Sequence, residues 1–236
     1  MSFAKLLCIF TTTLGLHIAS TSPNPPLKPS ERKMAPTRVE FILVSTSLRE
    51  LQKVFYWCAA IAETIMTVAR LNPRSLPAQA IISTLALGGD LPTMRLTPSI
   101  AVGSLLVTCG ALLRLQCYRA LGEHFTFEMG ITRNHRLITT GPYNHIRHPS
   151  YSGAILAYLG LLLYYGSPGS WFKECVFKGS MVGSIFCASY ILGMSLVVTG
   201  LIARISKEDE GLRRQFGREW TDWAARVPCV LIPGVY

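Results

Sequence analysis

Residues 179–203 read GSMVGSIFCASYILGMSLVVTGLIA, a run with no charged side chain. A helix crosses the hydrocarbon core of a bilayer in about 20 predominantly apolar residues, so this run predicts a membrane span. It also decides the fold class. On its N-terminal side lie the turn-rich residues Gly166 to Ser170, a re-entry near Trp171, and a second apolar run, Ala154 to Tyr165. Just before that run stands LITTGPYNHIRHPSYSG, Leu137 to Gly153, which gathers two Tyr, two His and an Arg. Gly141-Pro142 marks a turn, and Pro149 pushes His148 out of the helical region. A polar, ring-rich loop at the mouth of an apolar helix suits a ligand site at a membrane surface. The same residue types also serve as plain interfacial anchors.

On the other side of the span comes an amphipathic tail, Arg204 to Tyr236, with Trp220 and Trp223 and a Pro228/Pro233 ending. On a helix running on from the span, Arg204 and Glu208 fall one turn apart on one face. Alone, such a pair contributes a few tenths of a kcal/mol. Facing the loop, it suits a zwitterion: Glu208 for an ammonium, Arg204 for a carboxylate through paired bonds that Lys cannot make.

Composition agrees with a membrane protein. The 236 residues are 50% hydrophobic and only 15% charged, with a positive mean hydropathy. Soluble domains carry nearer a quarter charged residues. The chain therefore reads as one integral membrane domain, 1–236. Its net charge of +10 falls on the flanks of apolar runs and forms no stripe with exposed aromatics, which argues against nucleic acid. The cysteines number seven, contain no C-x-x-C pair and sit mostly in apolar segments. They read as reduced thiols, with no disulfide framework or zinc site. No His pair has metal-binding i, i+4 spacing either, so no metal is expected.

The remaining segments fill in a multispanning helical protein. Residues 1–20 carry one Lys and then an apolar run, Leu6 to Ala19: a short first span, or a signal-like segment with small residues at the position of a cleavage site. Residues 21–37 form a proline-rich connector. Val39 to Leu71 is helical, with Glu63 interrupting its apolar half. A carboxyl inside a membrane helix is costly and so a functional suspect, unless it lies near an interface or pairs with another helix. Asn72-Pro73 breaks the chain before a shorter helix, Leu76 to Leu91, and Pro98 to Tyr118 is a further span. About five or six spans are expected in all, at roughly 20 apolar residues each. Arg114, Arg119, Arg133, Arg136 and Arg147 precede the pair of spans between Tyr151 and Ala203; Arg204, Lys207, Arg213, Arg214 and Arg218 follow it. Two spans return the chain to its starting side, so polar loop and polar tail share one face, the cytosolic one by the rule that Lys and Arg are retained there.

Together the clusters form a recognisable series. L-G-x-x-F-T runs from Leu121 to Thr126, H-x-L-I-T-x-G-P-Y from His135 to Tyr143, and R-H-P-S-Y-x-G from Arg147 to Gly153. R-x-x-x-E-[DE]-x-x-L-x-x-x-F-G-x-E-W runs from Arg204 to Trp220, followed by R-V-P, Arg226 to Pro228. This series resembles the isoprenylcysteine carboxyl methyltransferases, membrane enzymes of the endoplasmic reticulum. The resemblance covers about the last half of the chain, 120–236; the first half matches only in being hydrophobic and multispanning. It implies an all-α, multi-pass fold with its active site facing the cytosol. It also implies methyl transfer from S-adenosylmethionine to the C-terminal carboxylate of prenylated proteins, at the membrane lipid and without metal or nucleic acid. By position, Glu128, His135, Arg136, Leu137, Ile138, Tyr143, His148, Pro149, Ser150, Tyr151 and Glu208 would contact the cofactor, and Arg204 the substrate carboxylate. Two positions depart from the family pattern. Glu128 stands where an amide is common, and Asp209 where a second Glu is favoured, the shorter arm weakening any role for it.

The implied chemistry is self-consistent. A terminal carboxylate has a pKa near 3.5 and is ionised at neutral pH, so its methylation needs no general base. That agrees with the absence of a Ser/His/Asp or Cys/His arrangement. Three other readings stand beside it. A phospholipid N-methyltransferase, acting on phosphatidylethanolamine, would attack through an amine and would have less use for Arg204. A membrane sterol reductase would need NADPH. A non-catalytic channel or scaffold would leave the polar clustering unexplained. Tyr158, Tyr164 and Tyr190 suit a lipid tunnel or, more simply, ordinary helix packing.

Overall fold

The computed structural model describes residues 2–26, 45–88, 94–128 and 136–232. Among them every regular element is helical: α1 (Ser2–Ser20), α2 (Thr46–Ala69), α3 (Leu76–Leu85), α4 (Pro98–Leu121), α5 (Pro149–Gly166), α6 (Met181–Phe216) and α7 (Arg218–Arg226). Short 3-10 turns occupy Gly122–His124 and Gly141–Asn144, and a π-helical segment occupies Phe172–Phe177.

The all-helical reading holds. Of the five or six expected spans, three helices among the described residues are long and apolar enough to cross a membrane: Phe3–Ser20, Pro98–His124 and Met181–Phe216. Two others have comparable length: α2, which carries Arg49, Glu50, Lys53 and Glu63, and α5, which has no charged residue but contains Ser, Gly and Tyr among its apolar side chains. The Leu76 to Leu91 helix ends earlier than its apolar pattern, at Leu85. Leu87 then turns to φ +50 and Gly88 to φ +81, a left-handed pair that a helix cannot absorb. Residues 89–93 lie outside the described residues, as do 27–44, which hold most of the proline-rich connector and the start of the Val39 to Leu71 pattern.

By contacts the chain divides into two compact units. The first comprises Met1–His17, Glu50–Cys109 and Leu156–Met194; the second comprises Ile18–Arg49, Gly110–Ile155 and Ser195–Tyr236. In the first unit the helix starts are fixed locally. Ser75 accepts from Ala78 N and Thr97 from Ile100 N, each just ahead of a proline that needs no donor partner in a first turn. The core gathers Ile9, Leu16, Tyr56, Ile100, Val107, Leu161 and Tyr164. α4 and α5 meet there through glycine: a Cβ on Gly103 would lie 2.6 Å from Tyr164 N, and one on Gly160 2.6 Å from Val107 N. Membrane helices gain little from hydrophobicity against one another, and small residues let their backbones pack closely instead.

Glu63, the suspect carboxyl, is 1% exposed and pairs with Lys5 of α1 at 3.1 Å. Its Oε1 also accepts from Trp171 N at 3.2 Å and its Oε2 from Tyr164 OH at 3.4 Å. Lys5 completes its shell on Gly169 O at 2.8 Å. Every member of this buried group therefore has partners, which offsets the cost of burying polar groups in an apolar core. Of the readings open for Glu63, pairing with another helix is the one realised. The expected re-entry near Trp171 is the π-helical segment, whose fully buried Glu174 accepts from Gly169 N at 3.2 Å and Lys178 Nζ at 2.7 Å.

Candidate functional site: loop 136–153 and the α6 tail

The second unit holds the polar loop and the tail, and it brings them together. α6 runs unbroken from its apolar residues through Arg204, Glu208 and Asp209 to Phe216. Gly217 stops it. At φ +56 it takes a left-handed turn in which its N–H caps Arg213 O at 2.8 Å. The chain then turns into α7, placing Trp220 and Trp223 against the loop. Trp223 Nε1 donates to Tyr143 O at 3.1 Å. Leu137, Ile138 and Trp220 pack on the buried cluster of Cys117, Tyr143, Trp223 and Val227. Burial, and after it the nearby Cys117 and Glu208, push the Tyr143 phenol far above its ordinary range. Tyr143 therefore stays neutral.

Arg147 and His148 form the approach to α5. Their backbone N–H groups donate to Cys229 O at 2.9 Å and Val230 O at 3.0 Å, tying the loop to the segment after α7. Pro149, at the first helical position, is fully buried, and His148 O accepts from Tyr151 N and Ser152 N as the first turn closes. Gly153 ends the motif for a steric reason. A Cβ there would stand 2.8 Å from Gly110 O and 2.9 Å from Arg114 Cγ of α4.

Around this turn the functional side chains converge. Tyr151 OH donates to Glu208 Oε2 at 2.5 Å, and the Tyr151 ring stacks on His148 with centroids 5.4 Å apart and planes 22° apart. The Arg204 guanidinium lies 6.0 Å from the Tyr151 ring, its Nε 3.8 Å from Glu208 Oε2, and its Nη1 donates to Phe127 O at 2.7 Å. Arg204 is 5% exposed. The i, i+4 pair read from the sequence is therefore in contact with the loop, Arg204 buried and Glu208 part-exposed, an arrangement that suits a ligand clamp.

The structure places the other sequence-derived residues less uniformly. Ser150 is buried, and its carbonyl accepts from Arg114 Nη1 at 3.0 Å. Glu128 is buried, next in sequence to the Phe127 carbonyl that holds Arg204, and its own carbonyl accepts from Thr126 Oγ1 at 2.6 Å. Arg136 is exposed at the start of the described loop. His135 lies outside the described residues.

Two residues gain importance that sequence reasoning did not give them. Arg114, read only as a flanking charge, is 4% exposed and bonds Tyr118 OH at 2.9 Å as well as Ser150 O. Its guanidinium and that of Arg49 both face the Phe127 ring, at 5.2 and 4.7 Å. The signal was its position: an Arg inside an apolar run is costly and faces protein. Asp209, discounted for its short arm, accepts from Arg147 Nη1 at 2.8 Å and from His148 Nε2 at 2.9 Å.

Helices of membrane-crossing length and an acid–base clamp beside a ring-rich loop are the arrangement known sequences can now be set against. A family model described as phospholipid methyltransferase matches residues 98–179, from α4 through the R-H-P-S-Y-x-G loop and α5. Over 129 residues the chain is 30% identical to protein-S-isoprenylcysteine O-methyltransferase B of Arabidopsis thaliana, covering 53% of this chain and 55% of that protein. It is 29% identical over 129 residues to probable protein-S-isoprenylcysteine O-methyltransferases of Oryza sativa, subspecies indica and japonica, covering 53% of this chain and 57% of each. The chain thus spans a little over half the length of the curated relatives it matches. These matches bear out, over that stretch, the resemblance to isoprenylcysteine carboxyl methyltransferases that the motifs carry. No solved structure matches.

Proposed function

We propose that the protein transfers a methyl group from S-adenosylmethionine to the C-terminal carboxylate of isoprenylated cysteine, forming a methyl ester. We place it in the endoplasmic reticulum membrane with the loop and tail facing the cytosol, where its partners are prenylated protein C-termini and membrane lipid. The observation that carries the reading is Arg204, buried one turn from Glu208 and joined to the loop through Tyr151.

The residues present fit the cofactor. Glu208 is part-exposed and uses one bond on Tyr151; a carboxylate has about four acceptor positions, leaving room for an ammonium. Leu137, Ile138 and Trp220 provide an apolar bed for a flat ring, and Trp220 Nε1 is buried there with no acceptor among the described residues. When bound, S-adenosylmethionine supplies an electrophilic methyl on a cationic sulfur. Arg204 would orient the incoming carboxylate through its guanidinium, whose fork of N–H donors matches a carboxylate. With the carboxylate already ionised at neutral pH, no side chain need remove a proton. The chain's main contribution is alignment of the two reactants, which in well-oriented systems supplies about 7–11 kcal/mol. The long apolar helices dissolve the prenyl tail while its carboxylate stays at the polar end of α6.

The family match over residues 98–179 favours a second reading, a phospholipid N-methyltransferase. Its amine nucleophile must lose a proton and would have less use for a buried guanidinium. Membranes containing the protein, labelled S-adenosylmethionine, and either farnesylated N-acetyl cysteine or phosphatidylethanolamine separate the two. Base-labile label on the cysteine supports the ester reading. Base-stable label on phospholipid alone overturns it.

A further inference from the structure

We infer that Asp209 is a positioning residue of the site: its carboxylate holds Arg147 and His148 together and so sets the loop that meets the methyl donor. The inference rests on the methyl-transfer reading above and deepens it.

Each oxygen of Asp209 has its own donor, Oδ2 taking Arg147 Nη1 at 2.8 Å and Oδ1 taking His148 Nε2 at 2.9 Å. The side chain is 16% exposed, so these charge-assisted bonds are partly shielded from water. The same two residues are gripped from behind by the segment after α7. Their N–H groups reach Cys229 O and Val230 O, and Arg147 Nη2 reaches Pro228 O at 3.3 Å. Asp209 therefore sits where α6, the loop and the segment 228–231 are fastened together. The short arm suits it: the loop lies directly on α6, and a carboxylate close to the backbone reaches two consecutive residues.

The consequences pass through His148. A carboxylate only accepts, so the hydrogen shared with Asp209 belongs to Nε2, and in the neutral ring Nδ1 keeps its lone pair as an acceptor. The ring is also held in the plane that stacks on Tyr151, and Tyr151 in turn reaches Glu208. Consecutive residues of α6 thus grip consecutive parts of the loop, Glu208 through Tyr151 and Asp209 through Arg147 and His148. Releasing Asp209 would let His148 rotate, remove the stacking face from Tyr151 and loosen its bond to Glu208.

The test uses the full chain in detergent or nanodiscs, as wild type, Asp209→Asn and Asp209→Glu, with helix content and melting recorded for each. Binding of S-adenosylmethionine is measured by calorimetry, then initial rates against farnesylated N-acetyl cysteine. Asn keeps the size of Asp but leaves one acceptor for two donors. Its Kd and KM for S-adenosylmethionine should rise about tenfold, the KM for the prenylcysteine staying within about twofold, since charge-assisted bonds on the cofactor side alone are lost. Glu, which keeps both acceptors and the charge, should recover most of the loss. Equal cofactor affinity in wild type and a folded Asp209→Asn overturns the assignment. So does a uniform fall in activity that Glu fails to rescue. Wild type that binds S-adenosylmethionine but esterifies no prenylcysteine defeats the substrate reading, while the Kd comparison still decides Asp209. Wild type that binds no S-adenosylmethionine defeats both.

Discussion

Replacing Gly153 by Ala adds one methyl group to the loop motif, and its consequence can be worked from two distances. The new carbon would stand 2.8 Å from Gly110 O and 2.9 Å from Arg114 Cγ, well inside the separation of about 3.5–4.0 Å at which nonbonded carbons attract. The oxygen is backbone, so α4 or α5 must move. Overpacking of this kind costs about 1–3 kcal/mol, offset by about 0.5–1 kcal/mol because Ala is the better helix former. A net loss of up to about 2.5 kcal/mol lowers the melting temperature of a chain this long by up to about 10 °C. The displaced Arg114 also holds Ser150 O, so activity should fall further than stability does. Gly193 is the control: it lies in α6 with nothing within 4 Å of an added Cβ, and Gly193→Ala should be neutral or slightly stabilising. The assay is thermal unfolding in detergent for both variants beside wild type. A Gly153→Ala protein as stable as Gly193→Ala, with full activity, would refute the close-packing argument.

The Lys5–Glu63 pair makes a second prediction. Removing either charge strands the other in an apolar core, at about 3–5 kcal/mol, so Lys5→Met or Glu63→Gln alone should aggregate or melt early. The double variant Lys5→Met/Glu63→Met should recover much of the loss in the same melting assay, and a double variant no better than the singles would contradict a simple ion pair. Tyr143 supplies a pH test. Its folded pKa lies above the unfolded value of about 10, so between the two the folded state holds a proton that the unfolded state has lost. That contribution to stability is complete below about pH 10 and falls as pH rises beyond it. Wild type should therefore lose stability faster above pH 10 than Tyr143→Phe does; parallel curves would show that burial does not protect the phenol.

Much of this fold can be read from the chain because the membrane forces periodicity and length onto it. The uncharged run ending at Ala203 became the apolar part of α6, and the helix did continue into the tail, so the spacing of Arg204 and Glu208 could be trusted. That the loop and tail meet also followed from sequence, since two apolar helices separate them and both flanks are basic. What could not be read depended on partners distant in the chain. Glu63 looked exposed to function because nothing local announces that Lys5, in another helix, neutralises it. Arg114 looked like a flanking charge because the carbonyl it holds, Ser150 O, is backbone and leaves no mark on composition. Asp209 was judged by the length of its arm, which decides nothing until the distance to Arg147 and His148 is known. Of the five or six spans read from apolar runs, α1, α4 and α6 are both long and apolar enough to cross, while α2 and α5 match a span in length, α2 with charges that dilute its apolar character.

The central claim is that Arg204 presents a carboxylate for methylation. Its most direct test is base-labile methyl ester formed on farnesylated N-acetyl cysteine from labelled S-adenosylmethionine, by wild type and by Arg204→Ala, with cofactor affinity measured on both. Removing one member of a buried charged contact costs about 2–5 kcal/mol, so kcat/KM should fall by at least about 30-fold while cofactor affinity is largely kept. Ester formation by Arg204→Ala at the wild-type rate would contradict the account.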